Sequence, residues 1–363
     1  MDMTRPDLSQ AAREVVTYIE YLETELERLR QTARPVTARS RSRPLQEAVD
    51  DFEDLPELDE PPEPPTTINI ITATASGLAK RTPRHLYTRQ RRGGMGVFDL
   101  ETAEDEPAAI IAVADESQNL LLITNLGRAF RAPVSSISEA PVRARGTSII
   151  ARLNLSDDEH LAMILADQAQ GYLGLVSQNG MVRLLRHHVF GEYMKPGTAL
   201  YDLKSFGPLA AACWTPGDGD LFIATRQGRA IRFSEKLVPP QGGLGIRLAD
   251  GDVAVGLAPV YPDSGVFLLT ADGKGTIRLM EGFSPNKAPG AGGKIAISTD
   301  HLVGVLNTDE AGDLFVISRL SKIIRFQANE VPAKDGVVQG VICMSLRADR
   351  VAAVSLSPLQ SRF

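Results

Sequence analysis

The sequence predicts an all-β protein built as a six-bladed, propeller-like array, preceded by an N-terminal α-helix and a flexible linker. Three observations lead there. From Thr66 onward the chain breaks into short β-branched runs separated by glycine-containing turns. One such strand–turn–strand unit recurs six times. At 363 residues the chain also exceeds what one hydrophobic core usually organises, which favours a repeat architecture or several units.

The repeat carries most of the weight. IITATASGLAKR contains Thr74, Gly77 and Lys80, and LLLITNLGRAFR contains Thr124, Gly127 and Arg131. LGLVSQNGMVRL has Ser177, Gly180 and Arg183, and LFIATRQGRAIRF has Thr225, Gly228 and Arg232. FLLTADGKGTIRL has Thr270, Gly273 and Arg278; LFVISRLSKIIRF has Ser318, Ser321 in the glycine position, and Arg325. The turn positions are 50, 53, 48, 45 and 48 residues apart. Each copy reads as a β-hairpin with a turn that tolerates positive φ. A second glycine follows 15 to 20 residues later (Gly94, Gly146, Gly197, Gly243, Gly292, Gly340), and further apolar runs come after it. Four short strands per unit, six times over, predict a closed or near-closed array. A single sandwich would not repeat at this interval.

The segment before the repeats has a different texture. Leu8, Ala12, Val15, Ile19, Leu22, Leu26 and Leu29 form an a/d stripe, with Asp7 as N-cap, and predict a helix over 7–32. Its narrow apolar seam is buried either in a homodimeric coiled coil through residues 8–29 or against the same chain. Residues 33–65 lose all periodicity and are Pro-rich, which predicts a flexible linker. The linker's second half, 47–65, holds nine acids and no Lys or Arg, while residues 1–46 hold eight Arg and seven acids and the 298 residues from 66 onward hold 31 basic and 29 acidic side chains. The acidity of the whole chain therefore comes from one strip. That strip is either a spacer or an internal phosphate mimic competing for a basic surface.

Composition excludes several classes. With 43% hydrophobic and 23% charged residues the chain can bury a core. Two cysteines, Cys213 and Cys343, cannot frame a disulfide scaffold or a four-thiolate zinc site, and both sit in apolar runs as small core residues. His187 and His188 are expected on opposite faces of a strand, and Asp157, Asp158 and Glu159 in a solvated acidic loop, so no metal is expected. No cofactor is expected either, because no nucleotide-binding loop is present. No apolar run approaches the roughly 20 residues of a membrane span and no signal core is visible, so the expected location is cytoplasmic.

Within the first repeat, Gln90-Arg91-Arg92-Gly93-Gly94-Met95-Gly96 resembles the box Q-[KR]-R-G-G-K-G that marks the C-terminal domain of DNA gyrase A. Six of seven positions match; Met95 stands where the family has Lys. The T-x-x-G-x-x-[KR] turns are similar to that domain's blade repeats, and the resemblance covers roughly 66–357. It implies a β-pinwheel that binds double-stranded DNA along its outer rim and bends or wraps it. In that family the first-blade box is needed for the wrap that supports negative supercoiling; carried over, it falls on Gln90, Arg91, Arg92, Gly93, Gly94 and Gly96. In gyrase the domain follows a breakage-reunion region with a catalytic tyrosine. Here Tyr18 and Tyr21 lie on the predicted helix with no surrounding domain to place a phosphodiester, and no G-x-x-x-x-G-K-[ST] loop is present, so neither strand cleavage nor ATP hydrolysis is expected.

The residues suit that partner. Lys80, Arg81, Arg84, Arg89, Arg91 and Arg92 place six cations in thirteen residues with no acid between them, beside His85 and Tyr87. Cations bind phosphate by releasing counterions, and phosphate contacts position a duplex without reading it. Equally, such a loop can be solvated and guard a sheet edge. Arg128 with Arg131, Arg183 with Arg186, Arg229 with Arg232, Lys274 with Arg278, and Lys322 with Arg325 recur at blade intervals. They either track a curved phosphate path or pair with neighbouring acids. The expected protein is a non-catalytic DNA-binding, nucleoid-associated one. The alternatives are an accessory component of a gyrase or topoisomerase assembly and a protein-interaction propeller that has lost DNA.

Overall fold

A computed structural model describes residues 63–358, apart from 104, 152, 169, 309 and 310. The predicted helix over 7–32, its dimer seam and the linker as far as Pro62 lie outside the described residues.

The repeat signature has a direct local cause. In the first hairpin, Ile68–Thr74 pairs antiparallel with Leu78–Pro83. Thr74 accepts the Leu78 N–H through its hydroxyl at 3.1 Å, and Gly77 takes φ 81° at the corner. Thr124, Ser177, Thr270 and Ser318 accept the N–H four residues on in the same way, which explains the Thr/Ser three residues before the turn glycine. Ser321 replaces that glycine in the sixth hairpin and still adopts φ 59°, a conformation costly for a residue with a Cβ.

Six sheets result. Each holds a hairpin at its centre, flanked by an innermost strand from the same repeat and an outermost two-residue strand from the next repeat. In blade 1 the innermost strand is Ala108–Asp115 and the outermost is Thr147–Ser148. The second glycine run therefore does not complete its own blade; it is donated backwards. For the first repeat the recipient is the last blade: Val97–Phe98 pairs with Lys322–Gln327 of blade 6. The innermost strands touch one another in sequence, and Val351–Pro358 of blade 6 touches Ala108–Asp115 of blade 1, so the ring closes.

The apolar residues collect between blades. Six clusters fill the six junctions; the one between blades 6 and 1 contains Ile70, Tyr87, Ile111, Phe315, Ile317 and Ile323. Both faces of a central hairpin strand are thus covered, and INIITAT is buried throughout instead of alternating. The glycine just before an outermost strand lets the chain cross close to the hairpin. A Cβ on Gly96 would sit 2.5 Å from the Ile323 carbonyl oxygen, and one on Gly146 would sit 2.6 Å from that of Ala79.

Candidate nucleic-acid interface

The cations of the return strands turn inward. Arg325 donates to Asp313 at 2.5 Å and to the carbonyls of Arg84 and Tyr87, the ends of a one-turn 3₁₀ segment in the next blade. Arg232 repeats the arrangement with Asp220 at 2.8 Å and the carbonyls of Met280 and Phe283. Arg81 does so with Asn69 at 3.1 Å and the Ile137 carbonyl, adding Glu139 at 2.6 Å. In each case a guanidinium reaches a polar side chain twelve residues earlier and caps a turn across the junction. These arginines latch neighbouring blades together.

The other cations at these hairpins are also engaged. Lys80 is 0% exposed; its ammonium meets Asp99 at 2.7 Å and the Pro141 carbonyl at 2.8 Å. Burial pulls it below the ordinary lysine range, with Asp99 opposing the shift. Tyr87 donates to the same carboxylate at 2.7 Å, and burial next to that charge raises the phenol well above its usual value. Arg128 pairs with Glu159 at 2.6 Å, Arg131 with Asp167 at 3.3 Å, and Lys274 with Asp272 at 3.4 Å. Arg183 donates to the Leu200 carbonyl, and Arg229 to those of Gly292 and Gly293. Arg278 is buried over the Phe283 ring, and the Lys322 ammonium lies over Phe98.

The expected cluster between Lys80 and Arg92 is divided by the seam between blades 6 and 1. Arg84 is buried against Glu63 at 2.6 Å, Ser357 and the Pro358 carbonyl. Glu63 also reaches Arg325 at 2.5 Å. Partial burial alone would raise the Glu63 carboxyl, but the two guanidiniums hold it below the ordinary range. Glu63 falls inside the segment expected as linker, yet it is fastened into the seam of the ring. Arg89 binds Asp313. The box lies across blades 5 and 6. Gln90 N–H donates to the Arg325 carbonyl at 2.8 Å, Gly93 N–H to the Cys343 carbonyl at 2.8 Å, and Arg92 N–H to Glu330 at 2.9 Å. Ser345 returns bonds to the Gly93 and Gly94 carbonyls. From this strap the Arg91 side chain projects into solvent, with Met95 exposed beside it.

Lys80, Arg81, Arg84, Arg89, Arg232 and Arg325 are therefore not solvated charges; their positions correct the picture of one continuous basic loop. Exposed cations flank several of the outermost strands: Arg143 and Arg145 in blade 1, Lys195 in blade 2, Lys287 and Lys294 in blade 4, Lys334 in blade 5; Arg186, Lys204, Lys236, Arg319, Arg347 and Arg350 are exposed elsewhere on the blades. Sequence reasoning passed over the cations beside the outermost strands, although most stand within a few residues of the second glycine of a repeat.

Three smaller expectations also change. Glu159 is not part of a solvated acidic loop, because it is buried against Thr124 and Arg128. Burial would raise its carboxyl, but the Thr124 hydroxyl, the Ser156 N–H and Arg128 hold it low. His187 and His188 sit in a 3₁₀ segment and not on a strand; His187 approaches Asp167 at 3.3 Å and tilts against Trp214. Cys343 is buried, and Cys213 is only partly so. Among the described residues no three His, Cys, Asp or Glu side chains gather as a metal site, and no helix is long and apolar enough to cross a membrane.

The family described as DNA gyrase C-terminal domain, beta-propeller, matches residues 69–114, 118–165, 219–260 and 312–359, about half of the chain. The chain belongs to this family. One spacing follows the match: Asn69, Asn119, Asp220 and Asp313 precede Arg81, Arg131, Arg232 and Arg325 by twelve residues in the matched blades. Blades 3 and 5, outside the match, begin their hairpins with Tyr172 and Gly265 and have shifted arginines. The DNA gyrase A protein of Staphylococcus epidermidis is 26% identical over 291 residues, covering 76% of this chain and 33% of that protein. Its Mycolicibacterium smegmatis counterpart is 28% identical over 303 residues, covering 79% and 36%. The chain thus spans about a third of the length of these relatives. A solved DNA gyrase A C-terminal domain superposes with TM-score 0.71 at 21% identity, over 80% of this chain and 99% of that one. The C-terminal domain of DNA topoisomerase IV gives 0.58 at 20%, over 81% and 94%. At these identities the two structures speak for the fold alone.

Proposed function

We propose that this protein binds double-stranded DNA along the outer edges of its blades and bends or wraps it, without cleaving it. The observation that supports the reading is the set of exposed cations beside the outermost strands of a closed ring, with Arg91 leading from the box. Duplex DNA carries one charge per about 1.7 Å of axis, and a cation set spread along a curved edge meets it repeatedly. The latched arginines are left out of this contact set. Contributions to DNA topology and nucleoid organisation in the cytoplasm belong to the same proposal, as does pairing of two copies through residues 8–29.

The test is binding to a random-sequence duplex over a salt series. Affinity falls steeply with salt, and replacing Arg91, Arg143 and Arg145 by Ala flattens the log–log slope by about 0.9 per lost contact. Absence of binding in dilute buffer, or binding indifferent to salt, overturns the reading and leaves a protein-interaction propeller. Plasmid that is nicked and then resealed by an added ligase in the presence of the protein changes linking number if the wrap is chiral. A second reading is favoured by the match to one portion of DNA gyrase A: the protein works as an accessory to a gyrase or topoisomerase assembly. Restoration of supercoiling to a gyrase that lacks this domain would support it.

A further inference from the structure

We propose that Phe98 acts as an apolar wedge against the bases of a bound duplex, at the seam where blade 6 meets blade 1. The proposal rests on the reading of the rim as a DNA surface. Phe98 ends the outermost strand of blade 6 and is 53% exposed. It shares a groove of about 460 Å³ with Leu320, itself 54% exposed. Edge strands ordinarily carry charge at such places, and contiguous exposed apolar side chains mark contact surfaces. An aromatic ring left in solvent here adds little to the fold.

The ring is held where it stands. Phe98 lies directly across from Lys322, whose ammonium is 5.4 Å from the ring centroid. The next residue, Asp99, is fixed on both sides: its carboxylate takes Lys80 and Tyr87, each at 2.7 Å, and its N–H donates to the Ser321 carbonyl at 2.8 Å. A wedge needs such a base, because an unanchored side chain folds away instead of parting a base step.

The surroundings favour a nucleic acid over an apolar protein face. Arg143 and Arg319 line the same groove, and the Lys322 ammonium stands over the Phe98 ring. Asp99 is neutralised by Lys80, which leaves Glu101 as the opposing acid among the lining residues, with Asp105 and Glu106 further along the same loop. An apolar floor with two cations in its lining and a third over the ring fits a ligand that is anionic outside and apolar within. A duplex offers phosphates to the rim and, once a step opens, base faces to the ring. Unstacking one step is costly, and bending the duplex around a ring lowers that cost where the step kinks. Met95 points the same way: an exposed apolar side chain occupies the box position where the related domains have Lys.

The test uses the full chain and duplexes of about 40 base pairs that carry 2-aminopurine at successive steps, with end-attached dyes to follow bending. The wild-type protein raises 2-aminopurine emission severalfold and brings the ends together. Phe98→Ala loses most of the emission rise and part of the bend but keeps the salt slope, while Phe98→Leu retains both; unchanged thermal unfolding of each variant excludes a folding defect. Tight, salt-dependent binding with no emission rise in the wild type, or an undiminished rise in Phe98→Ala, overturns the wedge and leaves the DNA reading intact. If the wild type binds no duplex, both fall. If Phe98→Ala disrupts self-association with DNA binding unaltered, the groove is a protein-docking surface and the wedge is wrong.

Discussion

The arginines of the return strands and the cations beside the outermost strands share a charge and a repeat interval, but not an environment. Arg81, Arg232 and Arg325 turn across a blade junction and spend their donors on a carboxylate or carboxamide and on the carbonyls of a neighbouring turn. Arg143, Arg145, Lys195 and Lys294 are exposed on or just before short edge strands, Lys294 with its ammonium over the Phe283 ring. A period in charge therefore reports the architecture first. Only the surroundings of each charge tell whether it serves the ring or a partner.

The sharpest way to break the distinction is to remove one latch. Arg325→Ala strips Asp313 of its closest guanidinium inside the ring, and loss of one member of a buried pair costs about 3–5 kcal/mol. Chemical denaturation should show that loss, and a variant as stable as wild type would refute the latch. Gly96→Ala tests the strap: with φ 69° and a new Cβ 2.5 Å from the Ile323 carbonyl oxygen, it should cost roughly 1–3 kcal/mol. Glu63→Gln is milder, about 1 kcal/mol or less for a partly exposed pair, and should mainly loosen the seam seen by hydrogen exchange at Tyr87 and Gln90.

Acid acts on the same contacts. The Glu63 and Glu159 carboxyls are held below their ordinary value of 4.5. In that range the unfolded chain binds more protons than the folded one, so their contribution is complete above about pH 4.5 and is lost as pH falls through the folded values. Replacing both acids by Gln should flatten the acid limb of a stability profile; an unchanged limb would mean that other carboxylates dominate. Smallest of all in stability is the triple change of Arg91, Arg143 and Arg145 to Ala, expected within about 0.5 kcal/mol per site, with DNA affinity carrying the loss.

The propeller was legible because its cause is local. A Thr or Ser accepting the N–H four residues on, and a corner with positive φ, impose the same spacing in blade after blade. The donation of each outermost strand to the previous blade was hidden, since two-residue strands such as Val97–Phe98 carry no periodicity of their own. The interface was half legible. Six cations between Lys80 and Arg92 looked like one surface, yet their partners Asp99, Asp313, Glu139 and Glu63 lie elsewhere in the sequence, and only the fold brings them in. Arg143 and Lys195 escaped notice because neither belongs to a dense run of cations.

The closure of the ring has a consequence for how the protein is made. Val97–Phe98 waits for Lys322 and Ile323, and a ribosome adding 5–20 residues per second needs roughly 10–50 s to supply them. Throughout that interval the nascent chain trails an unsatisfied, partly greasy edge. Arg91 and Arg92, immediately ahead of it, place two charges beside that edge, where charged residues lower the aggregation hazard of an unpaired strand.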